Sequence, residues 1–187
     1  GYEAKFHGAG REDIDVLMLG SGRPFVLEIK EPKIRKIDLN NLERKVNEIN
    51  QGKTQYHNLK FTNRSRKAEI KVSSPDAYKI YKALVECDTP YDKDKLDILS
   101  ELGEIHQQTP IRVSHRRADK VRIKHVLDLS CEVIDDTHFE MTIKTEGGLY
   151  IKELISGDEG RSQPNVADKL GVKAVCKQLD VIEVSEK

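Results

Sequence analysis

Three stretches of this chain collect residues whose types and spacing can support chemistry. The first is Gly10-Arg11-Glu12-Asp13-Ile14-Asp15-Val16, three carboxylates and one guanidinium on a glycine-led turn before an apolar run. A carboxylate held there can serve as a nucleophile or a general base, although the same composition suits a solvated turn. The second is Thr109-Pro110-Ile111-Arg112-Val113-Ser114-His115-Arg116-Arg117, continued by Lys120, Arg122 and Lys124, with Asp119 the one acid among residues 110–125 and a net charge of five. Drawn out as an extended chain at about 3.3 Å per residue, it can track a phosphate backbone, and each neutralised phosphate adds salt-sensitive affinity. A basic solvated edge is the plainer alternative. The third runs from Glu146 through Gly147-Gly148-Leu149-Tyr150-Ile151-Lys152 to Gly157-Asp158-Glu159-Gly160-Arg161. Its paired glycines permit a close backbone approach and offer Lys152 from the first turn of a helix, or they form an ordinary strand-to-helix corner. A shorter pattern, Asp15 followed by Glu28-Ile29-Lys30, has the order of metal-dependent nucleases, in which carboxylates hold Mg²⁺ and a lysine assists water attack.

The elements that must position these groups follow from periodicity. Tyr2 to His7 alternates as a strand, and the apolar runs Asp15 to Leu19 and Pro24 to Ile29, split by Gly20-Ser21-Gly22-Arg23, predict a hairpin. Leu39, Leu42, Val46 and Ile49 recur at helical spacing behind a cap at Asp38 and ahead of Gly52. Strands are expected at Gln55 to Thr62 and Ala77 to Cys87, with a polar loop at residues 63–67 between them. A helix carrying Leu96, Leu99 and Leu102 is expected to stop at Gly103. Strands at Val121 to Val133 and His138 to Thr145 follow, then helices over Tyr150 to Ile155 and Val166 to Leu170 and a strand at Val175 to Val184. Together these predict an α+β fold with a mixed, largely antiparallel sheet flanked by helices.

Composition excludes several classes. The 187 residues suit one large domain or two small ones, and no run approaches the roughly 20 apolar residues that span a bilayer. The first residues lack a signal peptide's layout, so a cytoplasmic chain is expected. Cys87, Cys131 and Cys176 are odd in number and more than forty residues apart, which removes a disulfide framework and a paired-cysteine zinc site. The six histidines are scattered, so no metal site is expected. Lys plus Arg and Asp plus Glu both number 32, but residues 1–125 hold 25 basic and 19 acidic side chains against 7 and 13 in residues 126–187. One part can face phosphates while the other faces solvent.

In order and wording the three stretches resemble the pseudouridine synthases, and most closely the Pus-ten family that modifies the T-arm of archaeal tRNA, over nearly the whole chain. The resemblance makes Asp13, in Gly10-Arg11-Glu12-Asp13, the nucleophile, and Tyr81, in Tyr81-Lys82-Ala83-Leu84, the tyrosine stacked on the target base, with Tyr78 as the competing choice. It makes Lys152 the cation beside Asp13, Ile151 after Tyr150 the aliphatic residue under the base, and Leu179 the residue that closes the pocket. Arg11 would fill the gap the flipped base leaves. Arg112, His115, Arg116, Arg117, Lys120 and Arg161 would lie on RNA. The expected reaction isomerises uridine 54, uridine 55 or both and needs no redox step and no cofactor, and a non-catalytic tRNA-binding module, which requires only the basic stretches, is the remaining alternative. The expected partner is tRNA, with no protein partner and a monomeric enzyme. Residues 1–187 are then expected to be a catalytic domain without the family's amino-terminal RNA-binding domain and the first part of the catalytic fold. Two departures stand out: Leu17-Met18 where the family usually has an arginine after Asp-Val, and no strand upstream of Tyr2.

Overall fold

Strands β1 (Glu3–Gly8), β2 (Leu17–Met18) and β3 (Phe25–Lys30) open the chain, but they do not form one sheet. The structure, a computed structural model, describes residues 1–72 and 77–185. The chain divides into two compact units: residues 1–11 with 24–72, and residues 12–23 with those from 73 onward.

In the first unit β1 and β3 form an antiparallel ribbon, with Glu3 opposite Lys30 and Gly8 opposite Phe25. Phe6 and Phe25 stack at 5.2 Å between ring centres, and Tyr56 meets Phe25 edge-on. Helix α1 (Leu39–Ile49) starts where the sequence places it, because the Asp38 carboxylate accepts the Asn41 amide at 3.0 Å. The strand expected at Gln55 to Thr62 does not form. Asn47 of α1 takes both the N–H and the C=O of Tyr56, at 2.7 and 2.8 Å, and Glu43 accepts the Leu59 amide. Backbone groups satisfied by side chains have no need of a ladder partner. The polar loop after it contains a short helix, α2 (Arg66–Glu69).

The second unit is a seven-stranded sheet. Its other strands are β4 (Tyr78–Cys87), β5 (Glu104–Gln108), β6 (Val121–Val133), β7 (His138–Glu146), β8 (Ser162–Gln163) and β9 (Ala174–Val184), in the order β2-β9-β4-β7-β6-β5-β8. Every pairing is antiparallel except β2 on β9. The predicted hairpin between residues 15 and 29 is thereby replaced: its first arm becomes β2, with Leu17 beside Asp180, and its second pairs with β1. Turn glycines joined the two runs plausibly in sequence, but strand pairing is long-range and each run found a different neighbour. Strands β5 and β8 had no sequence expectation.

Along β7 the residues Phe139, Met141, Ile143 and Thr145 are buried on alternate positions, and Tyr81, Ala83 and Val85 of β4 join them. Each fully buried large apolar side chain stabilises the fold by about 1.5–3 kcal/mol. This face is covered by helices α3 (Ile151–Ser156) and α4 (Val166–Leu170) and by a 3₁₀ helix over Lys93–Glu101. The threefold spacing of Leu96, Leu99 and Leu102 is the period of a 3₁₀ helix, whose positions i and i+3 eclipse.

Gly20 is where β2 leaves β9. Its φ is +63°, and a Cβ there would lie 2.0 Å from the carbonyl oxygen of Ile182. Gly20→Ala therefore incurs both a left-handed backbone, about 1–3 kcal/mol, and a clash with a ladder that cannot yield. A fall in unfolding free energy of about 2 kcal/mol or more, measured by urea denaturation, is the expected outcome.

At the far end of the sheet His138 pairs with Glu86 at 3.1 Å and Asp135 at 2.9 Å. The bond to Asp135, then that to Glu86, raises the imidazole above its ordinary 6.5, so its contribution is complete below pH 6.5 and fades as pH rises through the raised value. The bond from His138 lowers Glu86 from its ordinary 4.5, so that contribution is present above pH 4.5 and is lost on further acidification. The melting-temperature difference between wild type and His138→Gln should be largest between pH 4.5 and 6.5 and should shrink on either side.

Candidate active site

Parallel pairing of β2 with β9 anchors the carboxylate turn just before it, where the Val16 amide closes on the Asp13 carbonyl at 3.1 Å. The three acids point to different partners. Glu12 is half-buried and accepts from Lys79 Nζ at 2.6 Å, Arg23 Nη2 at 3.0 Å and Tyr81 Oη at 3.4 Å. Tyr81 is only 2% exposed. Burial first, and then Glu12, push its phenol above the ordinary value, which makes it a proton donor. Tyr78, three residues away, is engaged elsewhere: it donates to Glu183 at 2.6 Å, with Lys144 Nζ 4.0 Å above its ring.

Asp13 is partly exposed and meets Arg112 Nη2 at 2.8 Å, while Lys152 Nζ stands 3.9 Å away. Lys152 instead binds both oxygens of Asp15, at 2.7 and 2.8 Å, and that bond lowers the Asp15 carboxyl below its usual range. Lys152, the cation expected beside Asp13, thus pairs with both Asp13 and Asp15 and lies closer to Asp15, and the Arg112 guanidinium, expected on RNA, is the nearer cation to Asp13. Arg112 also donates from Nε to Glu153 Oε1 at 2.5 Å and from Nη2 to Glu153 Oε2 at 3.3 Å. Burial acts against the charged guanidinium, yet these bonds to Glu153 and the one to Asp13 outweigh it and raise Arg112 above its ordinary value.

Arg112 reaches this position because its segment is not extended. Residues Ile111–Arg116 form a 3₁₀ turn on a buried Val113, with the basic side chains His115 and Arg116 left exposed, as are Arg117 and Lys120 beyond it. The turn at Gly157, where φ is +84°, ends α3 and brings Asp158 Oδ2 within 3.0 Å of the Ile111 amide. Arg161 donates from Nε and Nη2 to the Thr109 carbonyl, at 3.0 and 2.8 Å, and from Nη2 to Asp119 at 2.7 Å. Thus Arg161, expected on RNA, is engaged in holding this loop closed. Arg117 donates to the Tyr150 hydroxyl at 2.8 Å, and both Arg117 and Arg112 lie about 6 Å from the centre of that ring.

Gln107, 2% exposed, clamps residue 150: its Oε1 accepts the Tyr150 amide at 2.8 Å and its Nε2 donates to the Tyr150 carbonyl at 3.0 Å and to Ser162 Oγ at 2.9 Å. That fixes the start of α3 and with it Ile151 and Lys152. Ile151 and Leu179 both belong to the same core as Tyr81. Arg11 is an exposed residue of the first unit. Gln107 and Glu153 carried no sequence signal, since a lone amide in a strand and one acid in a helix have no distinguishing pattern.

Each residue of the nuclease pattern has a partner within its own unit. Asp15 is paired with Lys152, Glu28 accepts from Lys67 and His7, and Lys30 pairs with Glu3. Among the described residues no group of three or more His, Cys, Asp or Glu side chains is placed to hold a metal ion. No helix among them is long and apolar enough to cross a membrane.

Comparison with known proteins shows the family. The tRNA pseudouridine synthase Pus10 of Methanothermobacter marburgensis is 54% identical over 186 residues, covering 100% of this chain and 46% of that protein. The protein of the same name from Methanocaldococcus jannaschii is 52% identical over 189 residues, covering 100% of this chain and 41% of its own length. The chain thus spans about half the length of these relatives. Among solved structures, a crystal structure of a Cbf5-Nop10-Gar1 complex matches 57% of this chain and 30% of the matched chain, at 26% identity and a TM-score of 0.47. The family model "Pus10, C-terminal" matches residues 1–185, and the chain belongs to that family.

Proposed function

We propose that this chain carries the catalytic unit of a cytoplasmic tRNA pseudouridine synthase that isomerises uridine 54, uridine 55 or both in the T-arm, with Asp13 as nucleophile. The observation that supports it best is the Asp13 carboxylate itself, partly exposed and ion-paired by Arg112, with Lys152 behind it and the Glu12–Tyr81 pair beside it. A carboxylate so oriented can attack either C1′ of the sugar or C6 of the base. On the C1′ route the N1–C1′ bond breaks with its electron pair on N1, the base turns while bound, C5 bonds to C1′ and displaces the carboxylate, and the C5 proton is exchanged for one on N1. No electrons enter or leave. Tyr81, Ile151 and Leu179 would supply the apolar wall for the base, and Tyr150 the platform at the pocket edge. Bringing the uridine out of its stack costs a few kcal/mol, which exposed cations such as His115 when protonated, Arg116 and Lys120 would offset through phosphates.

The reading is tested by mixing the full gene product that contains this chain with tRNA transcript tritiated at uridine C5, with and without Mg²⁺. Tritium release should proceed without Mg²⁺, leave the RNA at full length and place pseudouridine in the T-arm. Asp13→Asn should lower the rate by about 10³-fold or more while tRNA binding persists. Unchanged release by Asp13→Asn would overturn the assignment of the nucleophile, and Mg²⁺-dependent shortening of the RNA would overturn the reaction.

A further inference from the structure

We infer that Arg112 is a positioning residue for Asp13, held in place by the buried Glu153, and that together they select which oxygen of Asp13 reacts. The inference rests on Asp13 being the nucleophile and goes further by assigning a role to two residues outside the expected catalytic set. Arg112 lies in the basic stretch that its composition marks for phosphates, yet its guanidinium is ion-paired with Asp13 and Glu153.

Three observations carry the assignment. Glu153 is 4% exposed, and a carboxylate that deep is stable only with a charged, hydrogen-bonded partner. Arg112 provides that partner through Nε and Nη2, so it is tied to the protein interior before any substrate arrives. The planar fork of arginine then has a donor left for Asp13, at 2.8 Å, a geometry that the compact ammonium of a lysine does not reproduce. Second, the segment that bears Arg112 is fastened on both sides. Asp158 holds the Ile111 amide, and Arg161 holds the Thr109 carbonyl and Asp119. Third, Arg112 and Lys152 both face the same atom of Asp13, Oδ2, at 2.8 and 3.9 Å. The cations therefore hold Oδ2 and leave Oδ1 as the oxygen directed to substrate. Positioning of this kind acts on the reacting geometry, where small displacements cost large factors in rate, and not on the affinity for RNA.

The experiment uses the full gene product with tRNA, enzyme in excess. It compares Arg112→Gln, Arg112→Lys, Glu153→Gln and Asp13→Asn by single-turnover rate at saturation, by tRNA dissociation constant and by melting temperature. Arg112→Gln should lower the saturating rate by about a hundredfold or more with the dissociation constant within about threefold of wild type. Arg112→Lys should recover part of that rate, since it restores charge without the fork, and Glu153→Gln should lower the rate by about tenfold at unchanged affinity. A tenfold weaker dissociation constant with an unchanged saturating rate in Arg112→Gln would make Arg112 a phosphate contact and overturn the inference. Equal rate loss in the Gln and Lys variants, in step with a lowered melting temperature, would reduce Arg112 to a structural residue and overturn it as well. Activity in Asp13→Asn would instead remove the nucleophile reading on which the inference stands, an outcome separable from the other two.

Discussion

The carboxylate of Glu153, buried on α3 and held by Arg112, is the constraint from which the site's geometry follows. It lies in a helix of six residues packed on the core through Ile151, Leu154 and Ile155, so it cannot swing out to water without unseating them. Removing the partner of a buried charge is strongly destabilising, typically by 3–5 kcal/mol, so the segment that supplies Arg112 has to fold over α3. That requirement explains why residues 111–116 wind into a 3₁₀ turn although their alternation of charged and apolar types suits an extended chain. It also explains the two fastenings at Asp158 and Arg161, which shorten the path between the end of α3 and the start of β6. The two motifs that looked separate in sequence, residues 109–117 and 157–161, are the two halves of one closure.

What was legible in the sequence was whatever depends on local pattern. The alternation of β6, β7 and β9, the Asp38 cap of α1 and the threefold leucine spacing before Gly103 all resolve into the elements they suggest. What was not legible depends on partners far along the chain. The glycine-rich turn at residues 20–23 looks like any hairpin turn, and only the position of β9, some 160 residues later, shows that β2 pairs there instead. Residues 55–62 have strand composition, but two side chains of α1 satisfy their backbone first. Within the site, the motifs singled out Asp13 and Tyr81, and Glu12, next to Asp13 in sequence, accepts the Tyr81 hydroxyl. The ion-pair assignments were not, because three carboxylates and two candidate cations allow several pairings and only geometry decides that Lys152 serves Asp15.

Charge shows the same difference between chain order and space. Read along the sequence, the excess of basic residues ends near residue 125, but in the structure it follows the two units. The unit formed by residues 1–11 and 24–72 has 14 basic and 7 acidic side chains, and the other has 18 and 25. The candidate site therefore lies in the acidic unit, where cations are scarce. It nevertheless gathers Arg23, Lys79, Arg112 and Lys152 against Glu12, Asp13, Asp15 and Glu153, four charges of each sign. A balanced cluster has little field left to attract a polyanion, since each cation is already neutralised within about 3 Å. Those four side chains are accordingly groups that orient carboxylates, and attraction of phosphate has to come from cations outside the cluster, such as Arg116 and Lys120 on the outer face of the 3₁₀ loop. The sequence presents Arg112 and Arg116 as equals four residues apart, whereas the fold pairs Arg112 with two carboxylates and leaves Arg116 exposed.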